Sequence, residues 1–326
     1  MRLIAPLLAL VLAAGPAGAN DSTAELGAGG LLLTRSDAIR LVAEDLFISM
    51  EEVRVDYVFA NRRDEAVESI VAFPMPDLPG GIDSNVSIPD STRDNFLDFS
   101  TTIDGESVVA TLDQRAVVAG VDVTDTIVAH KVPLLPSGDA TADAIRALSP
   151  DVLEDWLARG LVGKQEFNAG KGWQTAWHAK WTLRSAYWWR AVFPAGSEMR
   201  VSHRYRPSVG ISASAWLIHD GEPNEYFPDY RSRYCIDDAF LAALIRADAR
   251  GQSLGEYRLD YVLTSGGNWA NGTIGRFRLV IDKGRPDNLV SFCGENVVKT
   301  GPTTFEMIAE NHYPARDIKV LILSPR

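Results

Sequence analysis

Two stretches of this chain carry side chains whose types and spacing could do chemistry. The first, HDGEPNEYFPDYRSRY at 219–234, gathers His219, Asp220, Glu222, Glu225 and Asp229 among three tyrosines. Glycoside hydrolysis needs two carboxylates across one cleft, one as general acid and the other as nucleophile or base. Glu222, Glu225 and Asp229 are the candidates for that work. A solvated surface loop accounts for the same residues and is the favoured reading, because separation along the chain does not set separation in space.

The second stretch, GWQTAWHAKWTLRSAYWWRAVFP at 172–194, holds five of the eight tryptophans. Trp173, Trp177, Trp181 and Trp189 share the odd positions with Leu183, Tyr187 and Phe193. The even positions carry His178, Lys180, Arg184 and Arg190, and a single indole, Trp188. Alternation kept over some twenty residues is the period of a strand. The length predicts a bend near Ser185-Ala186 or two strands in succession. The odd face is then core, since indoles bury most of their area. Trp188 stands outside with Arg184, Arg190 and His178. If the next segment, MRVSHRYRP, lies alongside, His203 and Arg206 join them in a binding surface. Such a surface suits a sugar ring or an anionic group, or packs beneath a covering loop.

Other chemistries lack their motifs. GISAS at 210–214 misses the second glycine of a nucleophile elbow. There is no His-Glu-x-x-His, and the five histidines (130, 178, 203, 219, 312) have no zinc spacing. GAGG at 27–30 lacks the lysine of a phosphate loop, and Asp90, Asp94 and Asp98 do not have calcium-loop spacing. No metal and no cofactor is expected. With 43 acidic against 32 basic residues, a net charge of −11 and no basic cluster, nucleic acid and anionic membrane are excluded as partners.

The elements that must hold these residues follow from pattern. Residues 1–19, MRLIAPLLALVLAAGPAGA, read as a signal peptide cleaved after Ala19, with Ala17-Gly18-Ala19 as the small-x-small site. The apolar run is too short to span a bilayer, no later run reaches the ~20 residues required, and no cysteine follows for a lipid anchor. A periplasmic location follows. Val53, Val55, Tyr57 and Phe59 alternate with polar residues as a strand, Asn61–Asp64 is its turn, and Val67–Phe73 returns. Phe96–Ile103 and Val108–Leu112 flank an Asp104-Gly105 turn. A helical insertion is expected at about 137–160, with Ser149 as cap, Pro150 at the first position and Gly160 as stop. A further helix is expected at Asp237–Arg250, and strands return after it. Cys235 and Cys293, in an oxidising compartment, are expected to pair as a disulfide, with two buried thiols as the alternative.

Several segments together resemble one bacterial family, domain of unknown function 4424. They are NDSTAELGAGGLLLTRSDAI, EDLFIS, VRVDYVFAN and VAFPMPD near the start, and HRYRPSVG (203–210) and YCID (234–237) in the middle. YVLTSGGNW (261–269), IGRFRLVIDKGRPDNLVSFCGENV (274–297) and TTFEM (303–307) complete the set. The resemblance implies an exported protein of β-sandwich character and no assigned activity. It also puts both cysteines in segments typical of the family. The chain is therefore expected to be mostly β. A β-sandwich of immunoglobulin-like character at 20–210 would carry the helical insertion, and a smaller α+β part at 211–326 would hold the disulfide. A non-enzymatic binding or scaffold module for an envelope component or protein partner is the leading functional expectation. A hydrolase of polysaccharide or cell wall is the alternative, and a structural protein that pairs through exposed edge strands is a third.

Overall fold

The structure, a computed structural model, describes residues 20–27, 30–82, 84–168, 170 and 172–326. The expected leader lies outside the described residues, as do the two central residues of GAGG. Strands dominate, and most fall into three sheets. A seven-stranded sheet runs in the order Val121–Asp122, Thr111–Val118, Thr182–Phe193, Val67–Pro74, Ser22–Gly27, Gly30–Thr34, with Leu78–Pro79 also on Thr182–Phe193. An eight-stranded sheet runs Val298–Lys299, Thr304–His312, Ile274–Asp282, Ile39–Ile48, Val53–Asn61, Glu198–Tyr205, Ser100–Ile103, Glu106–Val108. The third sheet has five strands: Leu289–Phe292, Ile318–Pro325, Leu254–Tyr261, Val209–Ser212, Val86–Ser87.

Alternation decides what each strand buries. Val53, Val55, Tyr57 and Phe59 point inward as expected. The strand Val67–Pro74, however, does not return beside them. It pairs with Thr182–Phe193 and Ser22–Gly27 in the seven-stranded sheet. The turn at Asn61 is thus a crossover between sheets. Buried Asn61 holds the corner, its Nδ2 donating to the carbonyls of Glu65 (2.8 Å) and Phe193 (2.9 Å) while Oδ1 accepts from Arg63 N (3.0 Å). Asp104 and Gly105 do form a tight turn, both with positive φ, but its return strand is Glu106–Val108, and Thr111–Val118 departs to the other sheet.

Side chains of all three sheets meet in one apolar core. Phe73, Trp189 and Phe193 come from the first sheet, Phe59 and Phe277 from the second, and Leu259 and Val320 from the third. Strands from both sides of residue 210 share sheets: Ile274–Asp282 lies parallel to Ile39–Ile48, and Val209–Ser212 pairs with both Val86–Ser87 and Leu254–Tyr261. The division expected at 210 therefore does not coincide with a sheet boundary. The outermost positions are held by strands of two to five residues, which limits the ladder a partner strand could extend.

The helical insertion folds as Asp139–Arg146 and Pro150–Ala158, preceded by a short helix at Thr124–Ala129. These pack on a second core built around Trp156 and Trp181, whose rings meet edge to face. The Trp181 indole N–H donates to the Leu134 carbonyl (2.7 Å). Near the C-terminal end, Asp238–Ala249 forms a helix whose Asp237 carboxylate accepts from Phe240 N at 2.7 Å. Asp237→Ala removes this N-cap and is expected to lower stability by about 1 kcal/mol, read as a shift in urea midpoint at constant slope. Cys235 and Cys293 form the disulfide, with 5.0 Å between their α-carbons. No helix among the described residues is long and apolar enough to cross a membrane.

Candidate functional site

The tryptophan stretch divides into two strands, Trp173–Ala179 and Thr182–Phe193, broken at Lys180-Trp181. In the second, odd positions Leu183, Tyr187, Trp189, Ala191 and Phe193 are buried in the main core, and the even positions face away from it. Trp188 is half-buried on that outer face, opposite Thr111 on one neighbour and Ala72 on the other. The first strand departs from expectation. It pairs only with Val162–Asn168 as a two-stranded arm, and Trp173, at its far end, is 78% exposed. Trp177 packs partly on the insertion core, so only the base of the arm is covered.

Two other expectations about this surface are corrected. Strand Glu198–Tyr205 does not lie beside Thr182–Phe193, because the corner at residues 194–197 carries the chain across to the eight-stranded sheet. His203 is consequently buried at 0% exposure, its ring against Phe73, Phe99 and Trp189, and it is no part of a surface. His178 is half-buried on the two-stranded arm opposite Gly163, away from the strand that carries Trp188. Arg206 is exposed just beyond its strand, 3.8 Å from Asp98.

What remains on the outer face is an open groove of about 290 Å³ whose lining reaches Ala186, two positions before Trp188 on the same strand. Leu31, Leu33, Pro74 and Val117 give it apolar walls, Ala186 a floor, and Arg115 and Arg184 a polar rim with Asp77, Asp113 and Asp122. Arg184 stands opposite Arg115 in the register. Each guanidinium has an acidic partner: Arg184 with Asp77 (3.3 Å), Arg115 with Asp113 (3.1 Å) and Asp122 (3.6 Å), and Arg190 with Glu68 (3.5 Å). Partial burial pushes the Asp77 carboxyl above its ordinary value, and Arg184 opposes that rise. The face is ion-paired rather than basic. Arg115 and the two leucines were not legible as site residues, since only long-range pairing brings 31–33, 111–118 and 182–193 into one sheet.

The carboxylates of 219–234 lie at the surface. Glu222 and Glu225 are exposed, and Asp229 is exposed on the helix Phe227–Tyr234, paired with Arg233 at 3.2 Å. The segment is expected to be a loop, but Pro228 stands in the first turn of a helix that carries Asp229, while Glu222 lies on a two-residue strand and Glu225 in the turn between them.

A polar cluster that motif reading missed lies in the interior. Asn20, Asp21, Glu44, His203 and Ser265 are buried together with Tyr57, Tyr261 and Trp269. His203 Nε2 and Asp21 Oδ1 are 3.0 Å apart, and the Tyr57 and Tyr261 hydroxyls 2.9 Å. Burial pushes the Glu44 carboxyl up to about 8, against hydrogen bonds from Asn20 and Tyr261. The signal was present in phase: Glu44 shares its strand face with Leu46 and Ile48, and His203 shares one with Val201 and Tyr205.

Fold and groove define a β-rich protein of several packed sheets whose outer sheet carries an open, ion-paired groove. The chain belongs to the family described as Domain of unknown function (DUF4424), whose model matches residues 19–321. No curated protein matches it. Among solved structures it is similar to one described as "a putative nutrient binding protein" from Legionella pneumophila subsp. pneumophila str. Philadelphia 1. The two share 14% identity over 94% of this chain and 70% of the other, with a TM-score of 0.44.

Proposed function

We propose that this protein is an exported, periplasmic, non-enzymatic module that binds an envelope component in the groove beside Trp188. The observation that carries the reading is the groove itself, with Leu31, Leu33, Pro74 and Val117 in its lining and guanidinium groups already neutralised by carboxylates, and with half-buried Trp188 two positions along the strand from Ala186. Paired charges hydrogen-bond a neutral polar ligand without attracting a free anion, and an indole face suits the apolar side of a sugar ring. An envelope glycan meets both conditions. Export is supported by the disulfide, by the leader pattern and by a family match that starts at residue 19, where that leader ends.

The test uses soluble N-acetylglucosamine oligomers as probe, together with capture from periplasmic extract. The native protein is expected to change its tryptophan fluorescence on titration. Trp188→Ala and Arg184→Ala are expected to keep the far-ultraviolet circular dichroism and to weaken binding by about tenfold or more, the cost of about 1.4 kcal/mol. Should Trp188→Ala retain the same glycans and proteins as the native chain, the groove is not the binding site.

A further inference from the structure

Asn20 and Asp21 follow directly on the expected leader, yet both are 0% exposed. Chain ends are ordinarily frayed unless something ties them down. Here the ties are many. Asn20 N donates to Ser265 Oγ (2.7 Å), which donates back to the Asn20 carbonyl (2.6 Å). The Asn20 amide donates to Glu44 Oε2 (2.9 Å), and Trp269 Nε1 donates to the Asp21 carbonyl (2.6 Å). A β-carbon on Gly266 would stand 2.5 Å from Asn20 Nδ2, so the wall is shaped around that side chain.

The two carboxyl groups of this socket have different partners. Asp21 has His203 beside it. Glu44 is held by neutral groups, the Asn20 amide and the Tyr261 hydroxyl, and the charged group that acts on it is Asp21, of the same sign. A buried carboxylate with neutral partners is strongly disfavoured, and a cation in the same pocket relieves it. The backbone nitrogen of Asn20 lies in the same socket, donating to Ser265 Oγ while its own side chain donates to Glu44.

We propose that cleavage after Ala19 makes the Asn20 α-ammonium the counter-ion of Glu44, so that leader removal completes the packing of the core. Water adds across the Ala19–Asn20 amide under an envelope protease. A carboxylate is left on Ala19, and an amine on Asn20 that takes up a proton. A neutral donor with one hydrogen becomes a charged donor with three, in a socket that already holds its neighbours. The inference rests on the reading that the leader ends at Ala19.

Two forms of the chain test it, one starting at Asn20 and one keeping Ala19 and two residues before it, alongside mass spectrometry of the exported protein's N-terminus. The Asn20 form is expected to have the higher urea midpoint, and Glu44→Gln to abolish the difference. Its α-amine should react with an acylating reagent about tenfold or more slowly when folded than when unfolded. The pH dependence should also differ. In the extended form Glu44 binds its proton more tightly folded than unfolded, so stability falls as pH rises from about 4.5 to about 8. The ammonium flattens that slope in the Asn20 form. Tyr57, Tyr261, Asp21 and His203 face the same pocket in both forms and so cancel in the comparison. Equal midpoints and equal slopes would overturn the counter-ion while leaving the leader reading intact. An exported chain that starts elsewhere would remove both.

Discussion

Replacing Cys235 and Cys293 together by serine is expected to lower the unfolding free energy by about 4 kcal/mol, from the chain-entropy cost of a loop whose ends are 58 positions apart. That is a large share of the roughly 5–15 kcal/mol by which folded domains are stable. The bond joins the end of the helix Phe227–Tyr234 to the segment after strand Leu289–Phe292, where Ser291 Oγ also donates to the Tyr234 carbonyl (2.9 Å). Between the two cysteines lie the helix Asp238–Ala249 and strands Leu254–Tyr261 and Ile274–Asp282, which reach two different sheets. Loosening this loop in the unfolded chain therefore costs order across the molecule. Urea unfolding of native and double-serine proteins measures it, and a loss under about 1 kcal/mol would show that the loop is already restricted without the bond.

His203→Ala should destabilise the fold by about 3–5 kcal/mol, because it empties a ring-sized space in the core and leaves a buried carboxyl without its hydrogen-bond partner. Asp21 is fully enclosed, and burial raises its carboxyl above the ordinary value while His203 pulls it down. Without the imidazole that carboxyl keeps its desolvation and loses its hydrogen bond at 3.0 Å. The ring also fills space among Phe73, Phe99 and Trp189, so a cavity term adds to the loss. A second substitution separates the two contributions. Asp21→Asn in the His203→Ala background replaces the unpartnered carboxyl by an uncharged amide and should recover part of the stability, whereas a purely steric defect would gain nothing. The double-mutant cycle by denaturation is the measurement.

Local periodicity was enough to place most strands, the capped helices and the inward set Val53, Val55, Tyr57 and Phe59, because those signals depend on neighbours two to four residues away. The disulfide was legible too, since a chain with two cysteines and a leader pattern leaves few choices. Pattern reading went astray wherever a corner had to be assigned to a sheet. Asn61–Asp64 and residues 194–197 both look like hairpin turns, and both carry the chain between layers. A turn's residues set its bend, while the partner of the strand that follows is set by burial elsewhere in the molecule. That is why His203 passed for a surface group although its phase with Val201 and Tyr205 marked it as interior.

By itself the sequence determined the β-rich class, the acidic balance, the family and the alternation that buries Trp189. Tertiary structure alone decided that Leu31, Leu33, Arg115 and Arg184 share one groove, that its arginines are neutralised, and that Asn20 and Asp21 reach the interior. The physical reason is distance. Alternation is written into adjacent residues, whereas a groove or a buried socket is assembled from segments up to some 245 positions apart, as Asn20 and Ser265 are.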